Sequence, residues 1–455
     1  MLQRRDAMLG FGLSALGLPR LLGSEAHPRP ASGGKAKSCI LLFLWGGPPQ
    51  IDLWDMKPDA PVGIRSQFKP IDTATPGIRF CDRMPLLAKQ SGKLAVVRSV
   101  THPSNEHEPG VFHMLAGKPN PALRVPSNQR KRTDHPSISG VVSAFTRPGS
   151  VPASVTLPRP IGHSGVTYSG THAGWLGPRH DPLELKPAQS SRDDSFALTL
   201  PPDVDRARLE TRRSLLGRID DAERRMQRLP STAGLTAFHE QAMRIIASSA
   251  VKQALDLSKE STRVRDRYGR NPYGESFLLC RRLVEAGVRL VNFSWVYITA
   301  SGQVSNVWDT HGGIGFIPHG KTGYTMLDAD YCIPPLDRGL SALLEDLSER
   351  GLLDSTMVAA WGEMGRTPKL NGNAGRDHWG QSQTALLAGG GIRGGQVYGA
   401  TDSHAAYVKD MPVKPEDLIA TIYHGLGIDP EAEIVDREKR PHRASEGKPV
   451  EALFR

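Results

Sequence analysis

Short apolar runs recur along the chain, each closed by glycine or proline and most followed by a stretch with helical spacing. Residues 38–45 (SCILLFLW) are apolar almost without interruption, the pattern of a strand buried on both faces. Similar runs at 93–99, 288–295, 356–361 and 384–388 predict further strands. Between them, helical spacing predicts helices at 84–90, 111–116, 274–285, 337–350 and 415–426. In the fourth of these, Leu340, Leu343, Leu344 and Leu347 share one face. Residues 204–226 and 235–257 carry apolar positions at helical spacing with charged opposite faces, which predicts a helical hairpin standing off the sheet. Residues 56–80 read as irregular, and 118–200 as loop-rich with short strands. The alternation of strand and helix predicts one α/β domain over residues 38–455, a mostly parallel sheet flanked by helices, with a helical insertion at about 204–257.

The start of the chain is of another kind. Arg4 and Arg5 precede an apolar, glycine-rich run that ends near Leu22, and Ser24-Glu25-Ala26 offers a small-x-small cleavage site. Residues 1–26 therefore read as a signal peptide, too short to span a membrane, with paired arginines of the twin-arginine type. That leader implies export of a folded chain to the periplasm or beyond, through the twin-arginine machinery. No other segment is long and apolar enough to be a transmembrane span.

The net charge of +10 raises the chance of anionic partners. It is dispersed, and the basic residues of 206–228 interleave with Asp and Glu, so a nucleic-acid partner is not expected. The four cysteines, at 39, 81, 280 and 332, form no CxxC. Cys39 and Cys280 sit in apolar surroundings as core thiols, while a Cys81–Cys332 disulfide is compatible with the sequence without being readable from it.

Candidate chemistry gathers just beyond the predicted strands, where open α/β sheets bind ligands. Asp52 follows the first, behind Gly46-Gly47-Pro48-Pro49. Thr101, His102, Ser104 and His107 follow the second, ahead of a helix whose dipole would favour an adjacent oxyanion. There Ser104 or Thr101 reads either as a nucleophile or as a helix N-cap, and His107 as a ligand or a base. Asp309 and His311 lie before paired glycines, a spacing shared by metal-ligand pairs and hydrogen-bonded turns. Glu363 ends the strand at 356–361, and Arg366, Arg376, Asp377 and His378 follow on one glycine-rich loop. Asp52, Asp309, His311, Glu363 and His378 form a mixed carboxylate–imidazole set that suits Zn or Mn more than Ca. Arg366 and Arg376 are the expected anion-binding groups.

The order of these residues resembles the alkaline phosphatase-like and sulfatase-like superfamily. More closely, the stretches GGPPQIDLWDMKPDAP, WDTH, GEMGRTP and GRDHW, with the leader, resemble an exported bacterial family of that superfamily, domain of unknown function 1501. The resemblance covers nearly all of the mature chain. It implies an alkaline phosphatase-like core and an exported, metal-dependent hydrolase of phosphate or sulfate esters. One or two divalent ions and an anionic small-molecule or saccharide ester as substrate would go with it. Two departures stand out. The superfamily's Asp-His pair at the late strand tip is Glu363-Met364 here, and the sulfatase pattern Cys-x-Pro-x-Arg is not met, since Cys332-Ile333-Pro334-Pro335 leads to Leu336. A non-catalytic binding or scaffold protein on a degenerate fold of this type is the competing expectation.

Overall fold

The computed structural model describes residues 34–120, 129–163, 165–185, 248–299, 302–313 and 322–455. The leader and most of the expected insertion lie outside these residues; the insertion's last stretch is a helix, Ser249–Leu255.

Eight strands form the central sheet: β1 (Ser38–Phe43), β2 (Leu94–Val100), β3 (Ser154–Leu157), β4 (Leu183–Glu184), β5 (Leu290–Ser294), β6 (Thr356–Trp361), β7 (Gln383–Ala388) and β8 (Gln396–Tyr398). Their order is β8-β2-β7-β6-β1-β5-β3-β4. β1 pairs in parallel with both β5 and β6, β3 with β5 and β4, and β8 with β2. β7 alone is reversed, antiparallel to β6 on one side and β2 on the other. The sheet is thus mixed but mainly parallel, as the alternation of elements predicts.

Five of the helices contribute to the layers on either side: α1 (His107–Ala116), α2 (Ile138–Ala144), α3 (Pro272–Glu285), α4 (Ile333–Glu349) and α5 (Pro415–Gly425). They cover both faces, and β1 shows how. Ile40, Leu42 and Leu44 join the core that holds Leu279 of α3 and Leu340 of α4. Cys39, Leu41 and Phe43 join the opposite core with Val111 of α1 and Ile422 of α5. Period-two alternation with both faces covered is why this strand is apolar throughout. Burying each of its large side chains is worth about 1.5–3 kcal/mol.

Several boundaries differ from the sequence reading. α1 begins at His107, four residues before the expected start, because Pro109 falls in its first turn, where no intrahelical amide is needed. Its N-cap is Glu106, without a side-chain cap, so Ser104 is not the N-cap; the Ser104 hydroxyl instead meets the Glu106 backbone at 3.3 Å. α4 starts at Ile333 for a similar reason, its prolines lying at the helix start. Residues 56–80, expected to be irregular, include one strand of a hairpin, Pro70–Asp72 against Arg79–Cys81. All four cysteines are buried free thiols, so Cys81 and Cys332 are not bridged.

Candidate metal centre

Seven of the eight strands point the same way, so the segments leaving β1, β2, β5 and β6 emerge on one edge. Two glycines let them close up there. Gly46, just past β1, has φ +118°, and a side-chain carbon on it would lie 2.2 Å from the Asp309 amide. Its own N–H donates to both oxygens of Glu363, at 2.9 and 3.0 Å. Gly110 lets α1 rest on Glu363, where a Cβ would come within 3.0 Å of the Glu363 carbonyl.

Glu363, fully buried beyond β6, accepts from His107 Nδ1 at 2.6 Å. Asp309, beyond β5, faces three imidazoles: His107 Nε2 at 3.3 Å, His311 Nε2 at 3.3 Å and His378 Nε2 at 3.1 Å. His378 is brought in by a two-residue ribbon in which it pairs with Arg366. Each of these rings has its Nδ1 on an oxygen: Glu363 for His107, the Asn105 carbonyl at 3.0 Å for His378, and the Gly312 carbonyl at 3.0 Å for His311. Nδ1 is then the donor, which leaves Nε2 of each ring directed at Asp309.

The charges around Asp309 reinforce one another. Burial alone would lower the His107 pKa, but the Asp309 and Glu363 carboxylates overcome it and raise it to about 10. Burial would raise Asp309, yet the Arg366 charge and the histidines hold it well below the usual carboxylate range. His311 is raised, chiefly by its hydrogen bond to Asp309. Positive charge is thus favoured around one carboxylate, and a divalent cation is the alternative to protons there. The donor atoms of His107, Asp309 and His378 all lie within 4.8 Å of one another. Two imidazoles and a carboxylate, with a carboxylate and a carbonyl fixing the rings from behind, fit a transition-metal ion and leave coordination positions for a reactant. His378 and His311 are 29% and 36% exposed, so the group opens to solvent on their side.

The sequence-derived candidates divide accordingly. The structure brings His107, Asp309, His311, Glu363 and His378 together, with Glu363 behind His107. Asp52 lies at the same edge but is engaged otherwise. Its carboxylate takes Arg376 Nε at 2.6 Å and Nη2 at 3.0 Å, and the Tyr324 hydroxyl at 2.8 Å. Arg376, expected to bind an anion, is consumed by this pair and by the carbonyls of Ile64, Thr367 and Pro368. Arg366 is likewise fully buried, bonding Asp309 and the carbonyls of Gly46, Gly47, Trp308 and Arg376. Neither arginine faces the opening. Ser104 stands in the loop between β2 and α1, next to the Asn105 that holds His378. Sequence reasoning passed over Asn306, whose amide lies 3.2 Å from His107 Nε2 and 3.3 Å from Asp309. An asparagine three residues before an aspartate carries no signal of that role.

The molecule is thus an α/β protein with a mainly parallel sheet and a candidate metal centre at the carboxyl edge of that sheet. The chain belongs to the family described as Protein of unknown function (DUF1501), whose model matches residues 36–454. No curated protein matches it. Among solved structures it resembles Ps i-CgsB, with a TM-score of 0.42 at 11% identity over 92% of this chain and 75% of that one. A putative sulfatase from Bacteroides thetaiotaomicron gives 0.38 at 10% identity over 92% and 74%. The C-terminal periplasmic domain of EcEptC from Escherichia coli, in complex with Zn, gives 0.37 at 10% over 94% and 99%. These are remote likenesses of overall fold.

Proposed function

We propose that this chain is an exported, metal-dependent hydrolase of phosphate or sulfate esters, with His107, Asp309 and His378 as metal ligands. The observation that carries this reading is the convergence of three imidazole Nε2 atoms on the Asp309 carboxylate, each ring oriented from its far side. A divalent ion held there, Zn or Mn ahead of Ca, would polarise the ester oxygens and ease deprotonation of an attacking water or of Ser104. The chain's own residues do the positioning. Glu363 holds the His107 ring, the Asn105 carbonyl holds His378, and Arg366 fixes the Asp309 carboxylate. Asn306 offers a neutral donor beside the ligands. The first turn of α1 adds its dipole at the same edge.

A screen of aryl phosphates, phosphodiesters and aryl sulfates with Zn, Mn and Ca supplied separately tests the reading. Turnover that disappears together with bound metal in His378→Ala supports it, whereas turnover unchanged in that variant refutes the assignment. Export is part of the same proposal and rests on Arg4-Arg5 ahead of the apolar leader. Replacing both arginines with lysine should hold the chain in the cytoplasm, and unimpaired export would remove the twin-arginine route. No helix among the described residues is long and apolar enough to cross a membrane.

One observation favours the competing reading of a non-catalytic binding protein: both arginines expected to grip an anion are buried in internal pairs. Purified protein with no stoichiometric transition metal and no turnover on any ester class would establish it instead.

A further inference from the structure

We propose that His163 delivers the proton to the leaving-group oxygen, held for that task by Tyr168 and Glu108; the proposal rests on the hydrolase reading above. Glu108 follows His107 in the first turn of α1 and is 7% exposed. The Tyr168 hydroxyl, buried, donates to its carboxylate at 3.1 Å. The same hydroxyl is hydrogen-bonded to His163 Nδ1. A phenol has one proton, and a carboxylate only accepts. With that proton on Glu108, His163 Nδ1 must be the donor to the phenol oxygen. The imidazole is thereby fixed with Nε2 pointing away from the chain of bonds, and Nε2 has no hydrogen-bond partner among the described residues.

Two elements tie this histidine to the metal centre. Trp45 lies flat against His163, with centroids 6.4 Å and planes 26° apart, and edge-on to Tyr168 at 5.8 Å. The next residue is Gly46, whose amide holds Glu363. The hairpin strand Gly162–His163 packs against Val304–Ser305, which runs directly into Asn306 beside His107 and Asp309. Burial first, then the charges of Glu108 and Glu363, disfavour ionisation of Tyr168, so the phenol stays a fixed bridge rather than a proton source. Among the described residues the titratable groups facing His163 are Tyr168 and, through it, Glu108; Trp45 and Val304–Ser305 bring no titratable side chain, and Arg159 is turned to the Gly302 carbonyl. A phenylalanine at 168 would fill the same space without burying a carboxylate–hydroxyl–imidazole chain, whose desolvation has to be offset.

Protons and electron pairs balance over the cycle. In the reacting form proposed here the imidazolium carries protons on both nitrogens, Nδ1–H directed at the Tyr168 oxygen. As the phosphorus– or sulfur–oxygen bond breaks, its electron pair goes to the leaving oxygen, which takes the Nε2 proton. Nδ1–H remains on Tyr168. Nε2 then recovers a proton from the water that supplies the new oxygen, so ester and water become acid and alcohol with His163 restored.

The experiment compares two esters of the acid that the wild type turns over, one with a 4-nitrophenyl and one with an alkyl leaving group, in wild type, His163→Gln and Tyr168→Phe. Metal content and melting temperature are measured on each. A nitrophenolate leaves without help. The expected result is therefore a loss in kcat of about 10²–10⁴-fold on the alkyl ester in His163→Gln, with a small loss on the nitrophenyl ester and metal retained. Tyr168→Phe should lie between and keep the same leaving-group bias. Equal losses on both esters, or none, overturn the role of His163 while leaving the hydrolase reading in place. If His163→Gln fails to fold, Tyr168→Phe, which keeps the buried ring, decides between these outcomes by the same comparison. A wild type inactive on every ester overturns both readings together.

Discussion

Arg366 Nη2 lies 2.5 Å from Asp309 Oδ1, and the rest of the guanidinium is spent on main-chain carbonyls. A fully buried arginine in this position aims the carboxylate of the candidate metal centre from behind. Removing it leaves Asp309 without its strongest compensating charge. Arg366→Met is expected to cost about 3–5 kcal/mol of stability, as for one-sided removal of a buried pair. Urea unfolding measures it, and a loss under about 1 kcal/mol would show that the pair does not support the fold.

Asp52 and Arg376 form a second buried pair at the same edge. Since both carboxylate oxygens are taken, Asp52→Asn should lower stability by a few kcal/mol and leave metal stoichiometry as in wild type. Elemental analysis of the folded variant separates this outcome from a ligand role, in which the metal would be lost.

Metal removal provides the third test. An ion that binds only the folded chain stabilises it by about 2.7 kcal/mol at one hundred times its Kd. Dialysis against a chelator should therefore lower the melting temperature, and Zn or Mn should restore it. In His107→Ala the temperature should be low from the start and indifferent to the chelator. A chelator-sensitive His107→Ala protein would place the ion elsewhere.

His102 gives a pH signature. It is 3% exposed, its Nδ1 accepts from the Ser104 amide at 3.2 Å, and Nε2–H donates to the Glu363 carbonyl at 2.7 Å. Burial, then the neighbouring His113, lowers its pKa from 6.5 to about 4. Between those values the unfolded chain binds the proton and the folded one does not. The contribution of His102 to stability is thus constant above pH 6.5, falls as pH drops towards 4, and levels off below. The depression corresponds to roughly 3 kcal/mol. His102→Gln should flatten this part of the stability curve, and a slope equal to that of wild type would mean His102 is protonated in the folded chain.

Thiol counting under denaturing, non-reducing conditions should find all four cysteines reactive. A count of two would mean that a bridge forms after all.

The strands were legible because two covered faces force unbroken apolar runs, and β1, β5 and β6 carry such runs. The reversal of β7 was not, since nothing in QTALLA marks a strand direction and only its neighbours assign one. At the site, the imidazoles and acids stood out by type and by position after strands. The fate of the charges did not. Nothing in the sequence distinguishes an arginine that awaits an anion from one that already has Asp309 or Asp52, because that depends on partners 57 and 324 residues away. Asn306 and Gly46 act through an amide and a main-chain N–H, groups that every chain supplies in abundance.

Because β7 is reversed and lies beside β6, the excursion that carries Glu363, Arg366 and His378 leaves the sheet on one strand and returns on the next. A parallel return would have required a crossover around a face. Here the excursion can gain or lose residues at its far tip without changing the order of any strand. Both of its roots are clamped in the middle of the sheet, and its far end is tied down by the Leu370 amide on the Gly63 carbonyl and the Asn371 side chain on the His311 carbonyl, so His378 inherits the stiffness of the core. In architectural terms the site is a bracket fixed at both ends, and its reach can be altered without rebuilding the wall.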